Sequence, residues 1–305
     1  SVGAPGSSEG GALYAAESLV ITATSFFSNS ADSGGAIYQD NSDFAIDQRI
    51  VNSVFARNVA WLAPAGAAIH HSSRGVIELI HNTIATVGAG APAGVAAIWF
   101  DQADRVAITN TIIAGHAIGI QNDAGALTIT GAGNLFYNNS TADTVGNVAA
   151  GFALPNGDPA FVDAANDDYR LTSSGAAIER GIDAGLLDDF DGGVRPQGIA
   201  PDVGAFESAY TALCFATADS GATVYLSVDS TAVRGALADA VALPSSEVRV
   251  AGTCAGVTNT SGTTQLVLIA KSLTLRGGYT TTNWLTSDPN ANPTTLDALH
   301  SGRVI

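Results

Sequence analysis

The sequence predicts an all-β chain wound as a parallel β-solenoid, and three observations predict it. A small–Ala–apolar–aromatic phrase recurs as GGALYAAES (10–18), GGAIYQDNS (34–42), GAAIHHSSR (66–74) and VAAIWFDQA (95–103). Each phrase leads into a second apolar run rich in Val, Ile and Thr: SLVITATSFFSN, FAIDQRIVNSVFARN, GVIELIHNTIATV and RVAITNTIIAG, with ALTITGAGNLFYN as a fifth. Four of these runs place an asparagine before a short apolar pair, at Asn52, Asn82, Asn110 and Asn134, with Thr24 at the matching place in the first. The runs lack the i, i+3, i+4, i+7 spacing of a helix, and their alternation is that of strands. Short strands repeating every 24–32 residues cannot bury their own apolar side chains, so they bury them coil on coil.

Residues 1–150 are therefore expected to be stacked coils. Ile37, Ile69 and Ile98 should stack inside one face, and Val20, Ile46, Ile77 and Ile108 inside another. Asn52, Asn82, Asn110 and Asn134 read as a structural ladder. A sharp turn between strands needs φ > 0, which Asn tolerates, and stacked amides bond from coil to coil. Alternation along the first strand turns Tyr14, Tyr38, His70 and Trp99 to the opposite face. That column is either packing that shields a sheet or a contact stripe for a sugar polymer or a neighbouring protein.

The repeat stops near residue 150. The stretch 151–210 contains GDPAFVDAANDDYRLTSSGAAIERGID (157–183) and DFDGGVRPQGIAPDVGAFE (189–207). It resembles the C-terminal part of right-handed parallel β-helix proteins of the bacterial choice-of-anchor Q, polymorphic outer-membrane-like type. GAAIERG departs from the family's commoner SPAIDxG. The resemblance implies a right-handed helix and an exported, surface-located protein. Asp189, Asp191 and Gly192 form a D-x-D-G turn that is a weak Ca²⁺ candidate, because a full loop needs more oxygen ligands and a terminal Glu. The alternative is a structural turn in which Arg195 pairs with Asp189 or Asp191.

Residues 211–305 look like a beginning. Val233, Leu237 and Val241 share a helical face near 230–242, with Ala236 and Ala240 beside them. Ser230 or Thr231 can cap this helix, and Pro244 stops it. The strands EVRVAG, QLVLIA and SLTLRGGY follow. The stretch from SLTLRGGY to GRVI resembles the opening coils of the same family, where an amphipathic helix covers the first coil. The order body, end cap, start cap is a β-helix read out of phase. It leads to the expectation that units stack head to tail into a fibre. Cys214 and Cys254, in an exported chain, are expected to form one disulfide.

Charge and composition narrow the function. There are 28 acidic residues against 12 Lys plus Arg, giving a net charge of −16, which argues against nucleic acid. No apolar run is long enough for a membrane span. No metal-ligand or cofactor motif appears. For an enzyme the coils supply few paired carboxylates. Asp40 and Asp43 sit near a turn, and Asp101 and Asp104 fall in the corresponding turn two coils on, but the coil between offers Ser72 and Ser73 there, and Arg74 and Arg105 lack a surrounding acid cluster. His70 and His71 are adjacent but alternate in direction. The reading is a non-catalytic extracellular structural protein of a bacterial cell surface: a fibre, sheath or adhesin whose partner is itself. The alternatives are a carbohydrate-binding surface module, or a polysaccharide lyase or hydrolase on a β-helix.

Overall fold

A computed structural model describes residues 8–41, 44–86, 92–173, 175–198, 200–209, 214–218, 223–242, 247–260 and 262–305. The chain divides into two compact units, Ser1–Ser208 and Ala209–Ile305.

The first unit is a parallel β-helix. One sheet has six parallel strands: Leu13–Ala15, Ile37–Asn41, Ala65–Ser73, Val95–Gln102, Ile118–Asn122 and Ala142–Val145. A second has four: Leu19–Thr22, Gln48–Val51, Val76–Ile80 and Arg105–Thr109. A third has five: Ser25–Phe27, Val54–Ala56, Thr83–Ala85, Ile112–Ala114 and Leu135–Tyr137. The chain passes through the three sheets in turn, and each of the first four coils lays one strand on each. One apolar core runs through the coils.

Ile37, Ile69, Ile98 and Ile120 stand in register on the first sheet, all fully buried. On the third, Phe26, Phe55, Ile84, Ile113 and Phe136 stack, with the rings of Phe26 and Phe55 4.8 Å apart. The second sheet corrects the expected column. Val20 is 71% exposed and lies opposite Arg49. The inward residues are Ile21, Ile50, Leu79 and Ile108, with Ile77 in a neighbouring column beside Gln48 and Val106. Ile46 is buried ahead of its strand, its N–H donating to Arg74 O. In a run of consecutive apolar residues a one-residue slip exchanges the two faces, and sequence alone gives no face to SLVIT.

After the coils, residues 177–207 return along the turn between the second and third sheets as an irregular strap. Asn52 Nδ2 donates to Asp188 O (2.9 Å), Asn110 brackets the Ile182 backbone, and Thr83 Oγ1 accepts from Ala205 N (3.0 Å). Arg195 anchors the strap. It is fully buried, 3.0 Å from Glu207 Oε2, and donates to the carbonyls of Asp202, Gly204 and Ala205.

The second unit packs the helix Thr231–Val241 on a mixed sheet. Its order is Val224–Ser227, Cys214–Ala218, Glu247–Ala255, Thr274–Arg276, antiparallel in its first two pairings and parallel in the last. Ala232, Val233, Ala236, Leu237 and Ala240 are buried, while Val241 is exposed. The first turn is capped from further upstream than the sequence suggests. Asp229 Oδ1 accepts from Thr231 N and Ser227 Oγ from Ala232 N, whereas Ser230 Oγ donates to Gly256 O. Pro244 lies outside the described residues. Within QLVLIA only Gln265 is strand, although Leu266 and Val267 are core. Cys214 and Cys254 are joined by a disulfide, both fully buried.

Candidate functional site

The first sheet brings the predicted ring column together. Tyr14, Tyr38, His70 and Trp99 are paired residue to residue and continue into Gln121 and Val145. Tyr14 and Tyr38 stack at 5.7 Å, Tyr38 meets His70 edge-on at 4.6 Å, and His70 stacks on Trp99 at 4.1 Å. Tyr14 is half exposed and Trp99 partly so, but Tyr38 and His70 are only 7% and 4% exposed. The chain leading into the second strand lies over them. Ser33 Oγ sits 2.6 Å from His70 Nδ1. Gly34, at φ +62°, passes so close that a Cβ there would stand 2.7 Å from Tyr38 Cβ, so the cover requires glycine.

Acids line the column. Trp99 Nε1 and Gln121 Nε2 both donate to Asp123 Oδ2 (2.9 and 2.8 Å), and Ser72 Oγ donates to Asp101 Oδ2 (3.0 Å). Burial, then the charge of Glu9, pushes the Tyr38 hydroxyl up to about 12. Burial, Asp40 and Glu9 raise Tyr14 too. Neither phenol is an acid–base group near neutral pH.

Ser33, His70 and Asp101 lie in line, which invites comparison with a nucleophilic relay. Such a relay needs both contacts tight. Here His70 Nε2 is 3.5 Å from Asp101 Oδ2, an oxygen already bonded by Ser72. The set is a polar clamp on a buried ring. His71 points inward, with Nε2 2.7 Å from Ser73 O, and burial pushes its pKa down to about 4. Arg74 and Arg105 do have acids: Asp104 at 3.1 Å and Glu78 at 3.4 Å. They form outward ion pairs between coils.

The four asparagines fall into two adjacent columns. Asn52 and Asn110 belong with Ala23 and His81, all at φ between 44° and 53°. Asn82 and Asn134 belong with Thr24, Ser53 and Thr111. Asn82 Oδ1 accepts from Ser53 N and Asn134 Oδ1 from Thr111 N, while their amide nitrogens donate to Ile50 O and Ile108 O. Turn and coil-to-coil amide bonding are thus separate jobs one residue apart. Both columns keep a spacing of 29 residues as far as Asn110 and Thr111, and Asn134 follows Thr111 by 23.

His81 was not legible as special, yet it sits under the strap. Asn110 Nδ2 is 2.8 Å from its Nε2, and Arg195 Nη1 is 2.7 Å from its Nδ1. Asn110 is oriented by the Ile182 backbone, so its amide N–H and the Arg195 guanidinium both present donors to the ring, an environment that disfavours a further proton on it. Burial and the Arg195 charge push this ring down to about 3. The unbroken 29-residue spacing of 23, 52, 81 and 110 was the signal that would have found it.

Asp189 turns its carboxylate onto the backbone. Oδ1 accepts from Asp191 N (3.0 Å) and Gly193 N (2.7 Å), and Oδ2 from Glu207 N (2.8 Å). Arg195 pairs with Glu207 rather than with Asp189 or Asp191, because its side chain runs inward beneath the strap. Desolvation raises Asp202, and desolvation with the charge of Asp202 raises Glu207 to about 7, against the lowering pull of Arg195. Among the described residues no group of three or more His, Cys, Asp or Glu is placed to hold a metal ion, and no helix is long and apolar enough to cross a membrane.

Fold and site together define a parallel β-solenoid with a covered ring ladder. Compared with protein-family models, curated proteins and solved structures, the chain finds no match.

Proposed function

We propose that the protein is a non-catalytic structural unit of an extracellular, cell-surface assembly, stacking head to tail through the ends of its sheets. The observation that carries this reading is the ring ladder. The face where a binding or catalytic solenoid would present its rings is spent on packing between coils, with Tyr38 and His70 buried and His70 clamped by Ser33. A buried disulfide suits an oxidising compartment. The resemblance of 157–207 to choice-of-anchor Q β-helices points the same way. Sheet order leaves Leu13–Ala15 and Ala142–Val145 as the outermost strands of the first sheet, the kind of edge that another strand can extend.

Negative-stain electron microscopy of unheated protein tests this. Filaments with an axial repeat of one chain are expected, and dispersed single particles at every concentration would sink the stacking. A glycan stripe on the ladder makes the opposite forecast: Trp99→Ala would abolish saccharide binding while the ladder stays folded.

A further inference from the structure

A cleft of about 490 Å³ opens on the other side of the first unit, away from the ring ladder. Its floor is the outward face of the third sheet, at Ser25, Phe27 and Val54. One wall is the turn and antiparallel strand at 166–170, and the other is the strap at Phe190, Asp191 and Phe206. The volume lies within the range of small-molecule sites.

Three phenyl rings reach this cleft, and all are only partly buried. Phe190 and Phe206 hold each other at 5.0 Å, and Phe27 rests against Tyr169 at 6.3 Å. Their positions are therefore fixed while a part of each stays open. Polar groups stand between them. Arg57 grips Asp167 through two nitrogens, and Arg170 is bonded to Asp168 at 2.8 and 2.5 Å, so both acids are held in place. No side-chain hydrogen bond holds the exposed Asp191 carboxylate among the described residues, its charge acts on Arg170, and its backbone N–H is tied to Asp189.

We infer that this cleft binds a neutral sugar chain. A pyranose presents an apolar C–H face, which matches the electron-rich face of a phenyl ring. It also presents vicinal hydroxyls, which donate well to oriented carboxylates. Fixed rings with a few fixed polar groups are what an amphipathic ligand of this size needs. The lining excludes an acidic chain: Asp167, Asp168 and Asp191 outnumber Arg170, on a molecule of net charge −16. The inference goes beyond the structural role and does not depend on it, since a single dispersed chain carries the complete cleft.

Calorimetric titration of the full chain tests it. The probes are neutral β- and α-linked glucose and mannose hexasaccharides, with oligogalacturonate and a glucosamine hexamer as charged comparisons. At least one neutral hexasaccharide is expected to bind saturably. Asp191→Ala, which breaks no side-chain hydrogen bond among the described residues, should weaken that binding about tenfold, the scale of one hydrogen bond to a charged group. Arg170→Ala should weaken it as well, and Val20→Thr, on another sheet, should leave it unchanged. No binding of any neutral probe overturns the inference, as does preference for either charged oligomer, or neutral binding that both cleft variants leave intact. None of these outcomes bears on filaments, which microscopy reads separately.

Discussion

In the first unit a residue's partner is commonly one coil away, 29 residues along the chain, as when Asn82 takes the N–H of Ser53. In the second, Cys214 reaches Cys254 across 40 residues through a covalent bond. The solenoid spreads its stability over many similar interfaces, each coil resting on the next. The second unit has a single described helix and a smaller core than the coils, and such units lean on a cross-link. Repetition and stapling are thus alternative answers to limited apolar burial. The strap adds a third device inside the first unit, a buried guanidinium bonded to four partners.

Acid should separate the two regions most strongly. His71, His81 and His116 are buried with pKa values lowered to about 4, 3 and 4, and all three lie in the first unit. Their folded values fall below the unfolded 6.5, so the unfolded chain takes protons first. The stability of the neutral rings is complete above pH 6.5 and drains away as pH falls toward 3. Glu207 and Asp202 oppose this, because a raised carboxylate favours the fold at low pH. Glu207's contribution is present below about 4.5 and is lost as pH rises through about 7. Three rings outweigh them below 6.5. Calorimetric melts from pH 7 to 4 should show the first unit's transition falling faster, and His116→Phe should flatten that slope. Parallel decline of both transitions would mean the rings do not govern it.

Arg195→Met should cost about 3–5 kcal/mol, since Glu207 and Asp202 would remain as buried acids without their counter-charge. Urea titration should place the whole loss in the first transition. Reduction with dithiothreitol should cost the second unit about 3–4 kcal/mol by loop entropy and leave the first untouched. A shift of both transitions on reduction would show that the units unfold together. Asn82→Ala strands the Ser53 N–H and the Ile50 carbonyl in the interior, an expected loss of about 1–3 kcal/mol on the same urea scale. Val20→Thr is the smallest test: an outward residue should change stability by under about 0.5 kcal/mol. A large loss there would restore Val20 to the core.

Much of the solenoid was legible because repetition writes the same physical demand several times. Ile37, Ile69 and Ile98 carry one column, 32 and 29 residues apart. The ring column was equally legible as a column, but its cover was not. Whether Tyr38 faces water depends on Ser33 and Gly34, whose path the repeat does not describe. The asparagines misled because Asn serves both a positive-φ turn and an amide ladder. Aligning Asn52 with Asn82 merged two neighbouring columns, where an even 29-residue spacing would have kept them apart.

By itself, the sequence determined what is local and recurrent. It carried the strand alternation, the coil period, the small residues where chain passes over chain, the acidic balance and two cysteines able to pair. These follow from rules that act over a few residues or repeat along the chain. Only the tertiary structure decided what depends on segments meeting from afar. It buried His70 beneath Ser33, set Arg195 against Glu207 and His81 under the strap, and opened a cleft between the third sheet and residues 166–206. The reason is that burial and pairing are properties of neighbours, and these neighbours lie 12 residues apart for Arg195 and Glu207, 37 for Ser33 and His70 and 114 for His81 and Arg195, where no local pattern records them.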